Sequence, residues 1–460
     1  MIYTDLLFLV IFALVWAVCR LLRPWPAVKE WFLIAFSLLV IATWGLFDLG
    51  LFLTVLLYNY GAVRRMTHSA PRPSRVILAA SITLNIAVLA AFKYANFLGD
   101  NLSFISGWKF SHFPLGIPLA ISFYTFHLIS YLVDVHAGKV HVATFRQYLF
   151  YLSFFPHVIA GPIVRAWQLV PQIGRIRRVR TDTVMGVHFL VIGFFLKMVM
   201  ANRIGHGIDR VWAGDSAVDL TAADRWAVAF LYYCQIYGDF AGYTLMALGM
   251  SRLLGYRLPV NFRGPMRATT MQEFWQRWHI TLSRWLRDYL YIPLGGNRAS
   301  PTRASVNVMI TMLLGGLWHG AGWGFVIWGG MQGIGIVIQR ALGMRSGGLR
   351  GAAWLGGLLF TQLWVTSAWV FFRAPDFPTA LGFFLHLFWF TTLHSFSLHR
   401  RFLLVLIWAL PVVAHNWAPL LLRKIPRRRL GLVLGIGTGV VLVLNIIIYS
   451  PSAVFIYFTF

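Results

Sequence analysis

The residue with the clearest chemical potential is His319, in the run Leu313-Leu314-Gly315-Gly316-Leu317-Trp318-His319-Gly320-Ala321-Gly322-Trp323 between two apolar segments. An ionisable group at membrane depth is costly, so it usually faces a cavity or a partner and marks function. The glycines around it remove side-chain bulk, which lets helices pack closely or lets a substrate reach the ring. An imidazole can take and return a proton near neutral pH. The bland alternative is a buried histidine bonded to a backbone carbonyl, with the glycines serving packing alone. His279 is the second candidate, in Glu273-Phe274-Trp275-Gln276-Arg277-Trp278-His279-Ile280-Thr281-Leu282-Ser283-Arg284. On a helix it would share a row with Trp275 and Leu286, at the edge of an apolar face, where a lone histidine is more often structural. His127, His157 and Asp239 lie inside apolar stretches and are weaker candidates. His68, His112, His394, His399 and His415 sit near loops or span ends, where solvation is the simpler reading.

Other chemistries lack their residues. There is no Gly-x-x-x-x-Gly-Lys phosphate loop, no His-Glu-x-x-His zinc pair and no Gly-x-Ser-x-Gly elbow. The 2 cysteines, Cys19 and Cys234, can build neither a disulfide framework nor a zinc cluster. No metal centre is expected. The net charge of +26 comes from 40 Lys+Arg against 14 Asp+Glu. The basic residues gather in short loops, as at Arg64–Arg75, Arg175–Arg180 and Arg423–Arg429. The positive-inside bias of membrane proteins produces this pattern without a nucleic-acid partner. Arg64–Arg75 and Arg175–Arg180 are accordingly expected to face the cytoplasm.

The elements that must position these residues are membrane helices. The chain is 58% hydrophobic and 12% charged, with mean hydropathy +0.69. A soluble domain typically carries about 25% charged residues. Apolar windows approaching the roughly 20 residues of a spanning helix recur along the chain. The first has no small-residue cleavage site after it and reads as a retained helix. The expected architecture is an all-α polytopic membrane protein with about eleven transmembrane helices. Their approximate bounds are 5–22, 76–93, 115–133, 184–201, 226–250, 304–317, 322–341, 353–373, 379–395, 402–422 and 430–449. Residues 31–60 are long for one helix and short for two, and Trp44-Gly45 and Asp48-Leu49-Gly50 could break them into a hairpin. Tyr148–Gln172 is apolar but interrupted by Pro156, Gly161, Pro162 and Pro171, which suits a re-entrant segment buried against protein. Thr269–Tyr291 reads as one amphipathic helix with Phe274, Trp278, Leu282, Trp285 and Tyr289 on its apolar face. Such a helix lies at the interface or lines a polar funnel.

Several blocks together resemble the membrane-bound O-acyltransferase superfamily, in its bacterial alginate O-acetyltransferase-like branch. They begin with Phe113-Pro114-Leu115-Gly116-Ile117-Pro118 and Ser122-Phe123-Tyr124-Thr125-Phe126. Phe155-Pro156-His157 through Arg165 follows, then Glu273–Asn297, Gly316-Leu317-Trp318-His319-Gly320, Phe371-Phe372-Arg373-Ala374 and the terminal Phe455-Ile456-Tyr457-Phe458. The resemblance implies a single integral membrane domain over residues 1–460 with its signature region at about 113–330, re-entrant or interfacial helices included, around a central funnel. It implies that His319 matches the family's catalytic histidine and His279 its second histidine. Trp318 and Trp275 are then candidate substrate-pocket walls. The implied donor substrate is acetyl-CoA or an acyl-carrier thioester, with no bound cofactor. The implied acceptor is an extracytoplasmic polysaccharide such as alginate, reached directly or through a periplasmic acetyltransferase, at the bacterial inner membrane among its lipids. Two rivals remain: D-alanyl transfer to teichoic acid on a similar scaffold, and a non-catalytic glycan transporter or flippase. A transporter needs no histidine in a Trp-His-Gly setting.

Overall fold

The computed structural model describes residues 6–114, 116–159, 161–175, 180–213, 220–298, 300–344, 347–390, 397–422 and 427–448. They are helical, and no β-strand occurs among them. Five helices are long and apolar enough to cross a membrane: Leu46–Thr67, Pro71–Lys93, Asp182–Trp212, Gly351–Arg373 and Arg400–Ala418. The Arg400–Leu422 helix exposes Ile407 at 57% and Leu410 at 64%, an apolar face that water would not tolerate but acyl chains would. The protein is a multi-pass membrane protein. The motif Phe455–Phe458, the loop residues 176–179 and 423–426, and His394 lie outside the described residues.

The chain groups into two compact units, residues 1–190 with 247–259, and residues 191–246 with 260–460. In the first, the stretch 31–60 does break: one helix ends at Ala42, Thr43–Gly45 turns the chain, and the next runs Leu46–Thr67. That helix is tied to the Pro71–Lys93 helix by two amide bonds, Asn59 Nδ2 to Asn85 Oδ1 at 3.1 Å and Asn85 Nδ2 to Asn59 Oδ1 at 2.8 Å. Reciprocal amides of this kind hold apolar helices together where burial alone cannot. The proline-broken stretch forms the short helices Phe145–Ser153, Phe155–Val158 and Ala166–Leu169 and a 3₁₀ turn at Val170–Gln172. Its residues from Tyr148 to Ile159 are buried, as irregular backbone at membrane depth requires.

In the second unit, Ser300 caps the Pro301–His319 helix by accepting the Arg303 N–H, with Pro301 in the first turn. The helix packs on its neighbour Trp323–Ala341 through glycine. A Cβ on Gly316 would stand 2.2 Å from the Phe325 carbonyl oxygen, and one on Gly329 would stand 2.3 Å from that of Met312. Two backbones meet there, so no larger residue fits. Lys197 and Asp239 form a buried ion pair, which gives Asp239 a structural partner. Among the described residues of the expected span 379–395, the helix is Phe377–His386 and 387–390 lie beyond its end.

One element departs from the sequence reading. Thr269–Tyr291 is not a single helix but two, Met271–Arg277 and Ile280–Leu286, followed by a π-helical turn at Arg287–Tyr291. The break falls at Trp278, which is extended, and at His279, which is left-handed with φ 40° and ψ 52°. His279 therefore shares no helical row with Trp275 and Leu286. The apolar face survives by another route, since Phe274, Trp278, Leu282 and Trp285 are all buried. Glu273 pairs with Arg277 within the first of these helices, Arg277 Nε donating to Oε1 at 3.0 Å.

Candidate active site

Both candidate histidines lie in the second unit and both are buried. His319 is the last residue of the Pro301–His319 helix, and Gly320 continues in extended conformation. Gly320 is required for a packing reason: a Cβ there would enter the Phe325 ring at 2.1 Å. The glycines beside the imidazole thus close the hairpin tightly, which holds the helix end, and the ring it carries, in one position. The His319 ring stands perpendicular to Trp328 at 5.1 Å between centroids and lies 5.3 Å from Phe372.

His279 reaches the same place from the break between the two short helices. A non-glycine residue at positive φ is uncommon, and among the described residues only Ala120 and His279 show it. Such strain costs of order 1–3 kcal/mol and clusters at functional sites. The strain is held by the segment around Asn261. Ile280 N–H donates to the Asn261 carbonyl at 2.9 Å and Arg263 N–H to the Arg277 carbonyl at 3.0 Å. The Asn261 side chain then fixes the histidine. Its Oδ1 accepts the Thr281 N–H at 3.1 Å and the Thr281 hydroxyl at 2.9 Å. A backbone N–H can only donate, so this atom of the amide must be the oxygen. The third contact, His279 Nδ1 to the same oxygen at 3.3 Å, is therefore a donation from Nδ1–H. In the neutral ring this leaves Nε2 as a bare acceptor. It is buried, and it has no hydrogen-bond partner among the described residues. Burial holds the imidazole well below its ordinary pKa range, so the ring is neutral.

The two imidazole centroids are 6.3 Å apart. Trp318 touches both, at 6.1 Å from His279 and 5.0 Å from His319. Trp275 does not appear against either histidine; it packs on Trp328 at 5.9 Å and so stands behind the first ring. Phe240, edge-on to His279 at 4.7 Å, completes the surround. The indole N–H groups of Trp275, Trp328 and Trp369 are buried with no acceptor among the described residues. Buried donors are normally satisfied, and of these three indoles Trp328 is the one whose ring stands against His319. No group of three His, Cys, Asp or Glu side chains among the described residues could hold a metal ion.

Asn261, Trp328, Phe240 and Phe372 were not singled out from the sequence. Trp328 sits among 20 tryptophans, and Asn261 precedes His279 by 18 residues in an irregular segment, a separation that carries no periodic signal. The weaker candidates fall elsewhere. In the first unit, His127 Nε2 accepts the Val164 N–H at 3.1 Å and His157 Nε2 donates to the Tyr151 carbonyl at 2.9 Å.

Two buried histidines, one on a strained break and one on a glycine-locked helix end, thus share one aromatic enclosure in an all-helical membrane protein. Residues 139–345 match the model of the membrane-bound O-acyltransferase family. A probable alginate O-acetylase of Azotobacter vinelandii is 36% identical over 83% of this chain and 76% of its own length. A peptidoglycan O-acetyltransferase of Helicobacter pylori is 35% identical over 77% of this chain and 72% of its own length. A teichoic acid D-alanyltransferase of Streptococcus thermophilus is more distant, at 30% over 48% of this chain and 57% of its own. The chain belongs to the membrane-bound O-acyltransferase family. Its activity is O-acyl transfer, and it stands in the alginate O-acetylase-like branch.

Proposed function

We propose that the chain takes an acetyl group from a cytoplasmic thioester, acetyl-CoA or an acyl carrier, and passes it towards hydroxyls of an extracytoplasmic polysaccharide, with His319 as general base. The observation that supports this reading most is the left-handed His279, pinned by Asn261 with its ring 6.3 Å from that of His319. His319 removes the hydroxyl proton as the oxygen attacks the thioester carbonyl carbon. The carbon–sulfur bond then breaks, and the departing thiolate takes the proton back from the imidazolium. A positioned base contributes typically ~10²–10⁴-fold. His279 has a narrower role. With Nδ1–H committed to Asn261, its Nε2 can accept a hydrogen bond but not donate one, so it holds a neighbouring O–H or N–H donor of the substrates in place, while the one proton of the attacking hydroxyl goes to His319. The open indole N–H of Trp328, whose ring stands against His319, supplies a donor for the carbonyl oxygen as it gains charge. Trp318, against both rings, walls the pocket.

The site lies in the inner membrane, and a periplasmic acetyltransferase completes the transfer to the polymer. The acetylase and peptidoglycan O-acetyltransferase relatives support an acetyl group and a glycan acceptor. Comparing the ester-linked acetate of the cell's polysaccharides with and without this gene tests the reading. Loss of acetate with polymer yield preserved is expected. Unchanged acetate with lost teichoic acid D-alanine would move the assignment to the more distant relative's reaction, and loss of the polymer itself would favour transport.

A further inference from the structure

A second site lies in the first unit, where three stretches distant in sequence converge on one cavity. Its walls are Cys19, Arg20, Arg23, Pro26 and Lys29 from the first helical hairpin, Arg175, Asp182 and Thr183, and Arg252 through Gly255. Five cationic side chains face one carboxylate there. The carboxylate is already engaged: Arg252 Nη1 reaches Asp182 Oδ1 at 2.9 Å, while Arg257 holds both oxygens at 2.9 and 3.0 Å. Lys29 donates to the Leu254 carbonyl at 2.9 Å and lies over the Tyr256 ring at 4.7 Å. Arg20 rests on Trp16. Among the described residues, none of Arg20, Lys29 and Arg175 is paired with a carboxylate. The positive-inside bias accounts for basic residues on one side of a membrane. It does not account for their convergence on a concavity, where mutual repulsion opposes it.

We infer that this cavity binds a phosphate group. Guanidinium forks match phosphate oxygens bidentately, and a lysine adds a point charge. The phosphate can belong to an anionic lipid or to a soluble phosphoanhydride. The rim suits the first, since Leu21 and Trp25 are exposed at 74% and 60% beside Arg20 and Arg23, and an apolar and aromatic rim next to cations fits a headgroup with its acyl chains.

The test uses the full-length purified protein, with Arg20→Glu/Arg175→Glu as the variant, because both side chains are exposed and tolerate reversal without unfolding. Lys109→Glu, on an exposed position outside the cavity, controls for net charge. In one arm, intrinsic tryptophan fluorescence follows titration with inorganic pyrophosphate. In the other, delipidated protein is exchanged against phosphatidylglycerol or phosphatidylcholine vesicles and retained lipid is counted by native mass spectrometry. The inference expects saturable binding in at least one arm, weakened at least tenfold by the double reversal and unchanged by Lys109→Glu. Retention of phosphatidylglycerol alone assigns the phosphate to a lipid, and pyrophosphate binding alone assigns it to a soluble ligand. Saturation in neither arm, or equal loss with Lys109→Glu, overturns it.

Discussion

The protein buries two pairs of histidines, one in each compact unit, and the pairs differ in what holds them. His127 and His157 stand edge to face with centroids 5.0 Å apart, closer than His279 and His319 at 6.3 Å. Proximity and burial therefore do not single out a reactive pair. The first pair is tied to backbone groups, the Val164 N–H and the Tyr151 carbonyl, and neither residue leaves ordinary backbone conformation. These bonds pin the irregular stretch around Pro156 and Pro162, whose backbone needs partners away from water. In the second pair, His279 takes a left-handed conformation and is fixed by the Asn261 side chain. His127, His157 and His279 each keep one buried ring nitrogen without a hydrogen-bond partner among the described residues, so an open nitrogen does not separate the pairs. Backbone strain, more than a histidine's depth, sets the second pair apart.

The largest effect short of removing the base is expected at His279. His279→Ala should lower acyl transfer by about 10²-fold, the loss expected when a group that positions the substrate is removed. His279→Gly should be as inactive yet at least as stable to heating, because glycine adopts positive φ without cost. If His279→Gly unfolds more readily than His279→Ala, the strain is misplaced. Asn261→Ala should cost less, about 10-fold to 100-fold in activity. A buried hydrogen-bond partner is worth ~1–3 kcal/mol, and here its loss frees the ring to flip tautomer. Equal activity of Asn261→Ala and the parent protein would remove the asparagine from the site.

The pH dependence of stability tests the burial of His279 by itself. Burial depresses the folded-state pKa of His279 below its unfolded value near 6.5. Between the two values the unfolded chain binds the extra proton, so stability rises with pH across that window. The contribution is full above about pH 6.5 and is lost as pH falls below it. His279→Gln should therefore show a shallower fall in melting temperature between pH 7 and 5 than the parent. The smallest effect on chemistry is expected in the other pair. His157→Gln should lower thermal stability through the lost bond to the Tyr151 carbonyl while leaving activity per folded molecule within about twofold, since a neutral hydrogen bond contributes only ~0.5–1.5 kcal/mol. A large fall in specific activity with unchanged stability would reverse the contrast.

Much of this was legible in the sequence, and the gaps have physical reasons. Of the two breaks expected in 31–60, Trp44-Gly45 marks the turn, because glycine is a local signal, whereas Asp48-Leu49-Gly50 lies inside the Leu46–Thr67 helix, which tolerates its one glycine. His319 stood out because a titratable residue among glycines between apolar runs is unusual wherever the helices go. The break at His279 was invisible, because Phe274, Trp278, Leu282 and Trp285 keep a helical spacing across it and no glycine or proline marks it. The left-handed residue is stabilised from outside, by Asn261, and a tertiary contact leaves no trace in periodicity. The same reasoning hides Trp328, whose N–H matters only through its placement against His319. The basic residues of the first unit were legible as topology, while their convergence on one cavity required the fold.

The central claim is that His319 carries the proton, and the most direct measurement is acyl transfer per folded molecule in His319→Ala beside His157→Gln. Both proteins are purified in parallel, their folded fractions matched by size-exclusion and melting profiles, and supplied with the same thioester donor and acceptor. The account predicts a loss of at least ~10²-fold for His319→Ala at near-normal yield, with His157→Gln close to the parent. Parental activity in well-folded His319→Ala would contradict it.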